Sequence, residues 1–118
     1  MEYLQILKYE KDEYYTKHHD YLPNQSLMQC GTRVLTVFMY LNDVEEGGAT
    51  YFPNLGIKNE PKLGRIIIWP NGLDSDASTI DERTVHEAQP VNKGVKYAAN
   101  AWFHLYDFKT PNAWTCTG

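Results

Sequence analysis

Val95-Lys96-Tyr97-Ala98-Ala99-Asn100-Ala101-Trp102-Phe103-His104-Leu105-Tyr106 is the longest strand-like run in this chain of 118 residues. Successive side chains of a strand point to opposite faces. Lys96, Ala98, Asn100, Trp102 and His104 therefore share one face, and Val95, Tyr97, Ala99, Ala101 and Phe103 share the other. A strand packed only for stability would not turn a Lys, an Asn and a His inward, so the first face is either solvated or the wall of a polar cavity. Working outward, further strand candidates are Tyr3–Tyr9, Tyr14–His18, Arg33–Leu41, Ala49–Phe52, Gly56–Asn59, Arg65–Trp69 and Thr84–Ala88. Turn signals separate them at Pro23-Asn24, Glu46-Gly47-Gly48, Pro53-Asn54, Pro70-Asn71-Gly72 and Asn92-Lys93-Gly94. No long period of 3.6 residues interrupts the pattern. Short strands in one small domain predict an all-β sandwich or barrel such as a jelly roll. Both faces of Arg33–Leu41 are mostly apolar, which predicts burial on both sides. The polar stretch Asn71–Arg83 reads as a loop, either functional or plain surface.

The length allows one domain, 1–118, with a real core and little to spare. A composition that is 42% hydrophobic and 22% charged is that of a soluble globular protein, and nine Tyr lean it towards strands. A net charge of −4 argues against a nucleic-acid partner. No apolar run approaches the roughly 20 residues that would span a bilayer. No charged leader followed by an apolar stretch is visible, and the compartment stays open. The strand-like start directly after Met1 predicts a catalytic core without supporting elements ahead of it. Cys30 and Cys116 are too few for a disulfide framework and too distant for a metal knuckle. Two free thiols are the favoured reading, and one bridge between them the alternative.

Chemistry enters at Tyr15-Thr16-Lys17-His18-His19-Asp20-Tyr21. In an extended run His18 and Asp20 share a face while His19 points away. A mononuclear non-haem Fe(II) site asks for this pair and a second His, with the opposite coordination face open. With 4 His and 7 Asp in the chain, an H-x-D step arises by chance in roughly one such sequence in four, so its surroundings decide. His86 and His104 are the candidates for the second His. Ten residues after His86, across the turn at Asn92–Gly94, stands Lys96. A cation there could receive the far carboxylate of a co-substrate that chelates the metal with its other end. His104 has no such cation downstream, which favours His86 as the ligand.

These pieces, in order and over nearly the whole chain, resemble the Fe(II)/2-oxoglutarate-dependent dioxygenases of the prolyl 4-hydroxylase family. They are Tyr9-x5-Tyr15-x2-His18-x-Asp20-Tyr21, Arg33-Val34-Leu35-Thr36-x3-Tyr40-Leu41-Asn42-Asp43-Val44-Glu45-Glu46-Gly47-Gly48-Ala49-Thr50, Pro61-Lys62-x-Gly64-Arg65, and His86-Glu87-Ala88-x-Pro90-Val91-x-Lys93-Gly94-x-Lys96-Tyr97-x4-Trp102. The resemblance implies a double-stranded β-helix, a distorted jelly roll. It implies His18, Asp20 and His86 as catalytic iron ligands. Lys96 and the Thr50 hydroxyl would take the far carboxylate of 2-oxoglutarate, with Tyr9, Trp102 and Tyr40 around it. Arg33 and His104 would contact a peptide around a target proline. Ascorbate is implied as a further cofactor, and dioxygen as the oxidant. The activity implied is hydroxylation of peptidyl proline at C4, with release of succinate and carbon dioxide. The family usually has Gly in the turn after Tyr9, where this chain has Lys11-Asp12-Glu13; Asp tolerates unusual turn dihedrals, so the cost should be modest. Two rival readings remain. One keeps the chemistry but acts on a free amino acid or another protein side chain. The other is a jelly-roll binding module with a non-catalytic metal site, which would lack Lys96 or one ligand; all four are present.

Overall fold

In the computed structural model, which describes residues 1–113, two four-stranded antiparallel sheets carry the fold. The larger has the order β1-β12-β3-β7, formed by Gln5–Tyr9, Lys96–His104, Arg33–Tyr40 and Ile66–Pro70. The smaller has the order β2-β10-β5-β6, formed by Tyr15–His18, His86–Ala88, Thr50–Phe52 and Ile57–Asn59. Two short ladders complete it: β4 (Glu46–Gly47) with β11 (Val91–Lys93), and β8 (Gly72–Leu73) with β9 (Asp76–Ile80). One short helix, α1, covers Lys109–Ala113. This is the all-β jelly-roll architecture expected from the strand pattern.

The sheets meet through Phe38, Tyr40, Trp69 and Ala98 of the larger and Phe52 of the smaller, with Leu7 and Ile67 packed against them. Aromatic edges lock this cluster, with Phe38 and Tyr40 rings 5.0 Å apart and Phe52 and Trp69 rings 5.2 Å apart. Such pairs add about 0.5–1.5 kcal/mol each beyond their buried area. Along β12, Lys96, Ala98, Trp102 and His104 are all buried on the inner face, with Asn100 half-buried. The polar side is thus the inner one.

Three expectations need correction. First, β3 is not buried on both sides. Thr36, Phe38 and Tyr40 face inward and are buried, whereas Leu35, Val37 and Met39 are only half-buried. Register extends that outer face across the sheet, as Ile6–Ala99–Met39–Ile66 and Ala101–Val37–Ile68. On it Ile6, Ile66 and Ile68 are exposed at the two edges, while Ala99 and Ala101 between them are buried. Second, Asn71–Arg83 is not a plain loop. Asp76 organises a tight hairpin turn by accepting from the Ser78 amide at 3.0 Å and the Thr79 hydroxyl at 2.7 Å. The hairpin backbones close so tightly that a Cβ on Gly72 would stand 2.5 Å from the Ala77 carbonyl oxygen. Third, the extended run through the H-x-D step stops at His18, and Asp20 lies in a bend just beyond β2.

Two backbone positions explain local sequence choices. Gly47 has φ +79, and a Cβ there would lie 2.4 Å from the Pro90 carbonyl oxygen, so only glycine lets β4 reach β11. Asp12, in the turn after Tyr9, has φ +68, a left-handed conformation that Asp adopts more readily than most side chains. Cys30 is fully buried. Cys116, and with it the pairing question, lies outside the described residues.

Candidate metal centre and active-site cavity

β2 and β10 run antiparallel with His18 directly opposite His86. Cross-strand partners place their side chains on one face, and here the two imidazole centroids are 4.3 Å apart. Asp20, reached by the bend after β2, adds a carboxylate. One potential ligand atom from each of His18, Asp20 and His86 falls within 4.8 Å of the others. Asp20 Oδ1 is 3.9 Å from His18 Nε2, and Oδ2 is 3.9 Å from His86 Nε2.

The tautomers follow from the far side of each ring. His18 Nδ1 lies 2.7 Å from the Thr16 carbonyl oxygen, and His86 Nδ1 lies 2.9 Å from that of Thr84. A carbonyl only accepts, so each Nδ1 donates, which leaves each Nε2 with a free lone pair aimed at the cluster. Burial holds His86 below the ordinary histidine range, against the opposing pull of Asp20. That favours the neutral, ligating form. Trp69 and Phe52 pack the His86 ring at 4.8 and 5.4 Å, fixing its plane.

His19 does turn away from the cluster, and its partners show why. Its Nδ1 accepts from the Tyr21 amide at 2.9 Å, so Nε2 carries the proton and faces the Asp81 carbonyl at 3.0 Å and the Thr84 hydroxyl at 3.1 Å. This clasp ties the bend that carries Asp20 to the 3-10 turn Glu82–Thr84 that leads into His86.

A cavity of about 850 Å³ opens over the cluster, and Tyr9, Arg33, Phe38, Thr50, Trp69 and Trp102 are among its walls. Behind Tyr9 and Phe38 sits Lys96, 1% exposed, with Nζ 5.0 Å from the Tyr9 ring and 5.4 Å from that of Phe38. Its ammonium has no hydrogen-bond partner among the described residues. Burial pulls this lysine down to about 8. A buried cation without an anion is costly, and cation–π contacts return only about 0.5–2 kcal/mol each. The donor set therefore fits an anionic group. Thr50, buried at the wall, has its Oγ1 2.8 Å from the Tyr40 hydroxyl. Tyr40 lies 5.5 Å from Lys96 Nζ, and its hydroxyl oxygen accepts from the Thr50 amide at 3.1 Å with the Asn59 carbonyl 2.8 Å away, which makes it a brace behind Thr50.

Arg33, on the cavity wall, and the buried His104 converge on one residue, Glu2. Glu2 accepts from Arg33 Nε at 2.6 Å and Nη2 at 3.0 Å, and lies 2.7 Å from His104 Nε2. Burial pushes the Glu2 carboxyl up, but the hydrogen bonds from His104 and Arg33 outweigh it and hold it at about 2. Arg33 also lies flat over Trp102, 3.8 Å from the ring centroid. Strict alternation would put Arg33 with Leu35 on the outer face. A register irregularity between Phe103 and His104 pairs Arg33 with His104 instead and turns it inward. Glu2, Thr36 and Asn71 are polar groups around the site that the sequence reading did not single out. A Glu ahead of the first strand and a Thr inside an apolar strand give no local signal.

A family model described as the 2OG-Fe(II) oxygenase superfamily matches residues 4–104. The chain is 36% identical over 116 residues to prolyl 4-hydroxylase 1 of Arabidopsis thaliana, covering 86% of this chain and 40% of that protein. It is 39% identical over 106 residues to prolyl 4-hydroxylase subunit alpha-2 of Gallus gallus, covering 87% of this chain and 20% of that one. The chain thus spans less than half the length of these curated relatives. Among solved structures, a viral collagen prolyl hydroxylase from Paramecium bursaria Chlorella virus-1, in its 2OG complex, superposes with TM-score 0.78 at 31% identity, covering 88% of this chain and 59% of that one.

Proposed function

We propose, for a chain that belongs to the 2OG-Fe(II) oxygenase superfamily, that it hydroxylates peptidyl proline at C4, consuming 2-oxoglutarate and dioxygen and releasing succinate and carbon dioxide. The observation that carries this reading is Lys96. A buried, unpartnered ammonium beside the cavity that holds the His18, Asp20 and His86 cluster suits a dicarboxylate that also reaches the metal. In this reading His18 Nε2, Asp20 and His86 Nε2 hold Fe(II), which supplies the redox chemistry that no side chain can. Lys96 takes the far carboxylate of 2-oxoglutarate in a charge-assisted bond, and Thr50 is placed to add its hydroxyl. Tyr9 and Trp102 wall the co-substrate and exclude water, and Tyr40 holds Thr50 in place. Ascorbate belongs to the proposal as an accessory cofactor.

Peptidyl proline as substrate rests on the prolyl 4-hydroxylase relatives. Arg33, on the cavity wall and stiffened by Trp102, is the group we assign to the peptide. The His104 side chain is 0% exposed, so it acts through Glu2 rather than by touching substrate. Holding one proline carbon at the metal's open side is where selectivity arises.

Anaerobic addition of Fe(II) and 2-oxoglutarate tests the site directly. A metal-to-ligand charge-transfer band is expected in the native chain, absent in His18→Ala, Asp20→Ala and His86→Ala. Lys96→Ala should restore it only at much higher 2-oxoglutarate. A full band in any ligand variant would remove that residue from the site.

A further inference from the structure

We infer that Thr36 and Asn71 form a positioning relay for Asp20, one that fixes which carboxylate oxygen is offered to a metal. This rests on the reading of His18, Asp20 and His86 as the ligands. Thr36 projects inward from β3 and is 0% exposed, with Oγ1 2.6 Å from Asp20 Oδ2. On its other side, Asn71 Nδ2 lies 3.0 Å from the same Oγ1, and Asn71 is also 0% exposed. A threonine hydroxyl has one proton, and an ionised carboxylate only accepts. The proton therefore goes to Asp20, and the Asn71 amide donates into the hydroxyl's lone pair. The direction of the chain is set by chemistry: amide to hydroxyl to carboxylate.

The relay is anchored at its far end. The Asn71 backbone N–H donates to the Val34 carbonyl at 2.9 Å, and its backbone carbonyl accepts from the Asp81 N–H at 3.1 Å. Asp81 is the residue whose carbonyl also faces His19. β3, the root of the β8–β9 hairpin, the bend carrying Asp20 and the approach to His86 are thereby joined in one buried network. Its effect on Asp20 is asymmetric. Each oxygen lies 3.9 Å from one imidazole Nε2, Oδ1 from His18 and Oδ2 from His86, but only Oδ2 is engaged, by Thr36, and Oδ1 accepts no hydrogen bond from the described residues. A carboxylate held by one oxygen offers the other as a single, oriented donor. Without the hydroxyl, the group would be free to rotate.

The test is the Mn(II) dissociation constant of the purified chain, measured by titration calorimetry beside the melting curve of the metal-free protein. Thr36→Val keeps the shape and removes the donor. It should weaken Mn(II) binding about 10- to 100-fold, the usual cost of losing an outer partner of a metal ligand. Thr36→Ser restores the hydroxyl and should return most of that affinity, a rescue that loss of packing alone would not give. Asn71→Leu should weaken binding in the same direction by a smaller factor, and it decides the matter if Thr36→Val does not fold. Native Mn(II) affinity in Thr36→Val, Thr36→Ser binding as weakly as Thr36→Val, or native affinity in Asn71→Leu would overturn the relay. Mn(II) binding that survives Asp20→Ala would instead overturn the ligand assignment beneath it.

Discussion

Lys96 is the residue on which the proposed chemistry turns, and its burial has a measurable cost. An ordinary lysine titrates at 10.5 and this one at about 8, the shift coming from desolvation. Below pH 8 both folded and unfolded chains hold the proton, and the penalty of burying the cation is full, about 3 kcal/mol at about 1.4 kcal/mol per pH unit. Between pH 8 and 10.5 the unfolded chain binds more protons, so folded stability attributable to this group climbs with pH. Lys96→Met should therefore stabilise the metal-free chain at pH 7 by up to about 3 kcal/mol, a gain that shrinks towards pH 10.5. Urea unfolding of both proteins at pH 7 and 10 checks it, and an equal difference at the two values would contradict it. The same titration bears on the ligand. Affinity for 2-oxoglutarate should fall above pH 8 in the native chain as the ammonium is lost, while Lys96→Met starts weak and shows no such step.

Arg33 and His104 test the substrate end. Arg33→Ala should lose peptide hydroxylation while retaining slow, uncoupled 2-oxoglutarate decarboxylation, because His18, Asp20, His86, Lys96 and Thr50 all remain. His104→Ala should do the same less severely, since Glu2 keeps its two bonds to Arg33. Succinate and hydroxyproline measured in parallel separate coupling from turnover. Full, coupled hydroxylation in both variants would place the peptide elsewhere.

Among the elements, the strand ladders show how much of the site could be read in advance. Period-two alternation was enough to set Lys96, Trp102 and His104 on one face of β12, because the polar residues break an otherwise apolar pattern. The H-x-D spacing was legible for the same reason, although Asp20 reaches the cluster from a bend rather than from the strand. What could not be read depends on pairing between distant segments. Arg33 is turned inward by a register irregularity opposite β12, and nothing local to Arg33 announces that. Thr36 looks like any β-former until Asn71 and Asp20 are folded against it from 35 and 16 residues away. The β4–β11 ladder escaped because a two-residue strand ending in glycine carries no side-chain pattern. Its dependence on Gly47 is sharp. Gly47→Ala combines a positive φ with a Cβ 2.4 Å from the Pro90 oxygen, and should cost at least the roughly 1–3 kcal/mol of local backbone strain. A lowered urea midpoint at unchanged slope would report this; an unchanged midpoint would mean that β4 shifts freely away from Pro90.

For the whole molecule, the two faces of the larger sheet differ. The inner face is a packed core that passes into a cavity. The outer face shows Ile6, Ile66 and Ile68 at 60%, 55% and 61% exposure, aligned by register with Met39 and Val37. Exposed apolar side chains gathered on one sheet face favour association. The chain should therefore self-associate at high concentration, and replacing both Ile66 and Ile68 by Lys should reduce this by light scattering without altering metal binding. A native chain that stays monomeric would contradict it.

The central claim joins the metal cluster, Lys96 and a proline in one reaction, and one measurement reaches all three. A proline-rich peptide is incubated in air with the chain, Fe(II), 2-oxoglutarate and ascorbate, and the peptide is sequenced by tandem mass spectrometry while succinate is quantified in the same sample. One added oxygen on proline is expected for each succinate formed, with both signals lost in His86→Ala and strongly reduced in Lys96→Ala. Tight binding of Fe(II) and 2-oxoglutarate with neither succinate nor modified peptide would contradict it, and would make the chain a metal-binding jelly roll without catalysis.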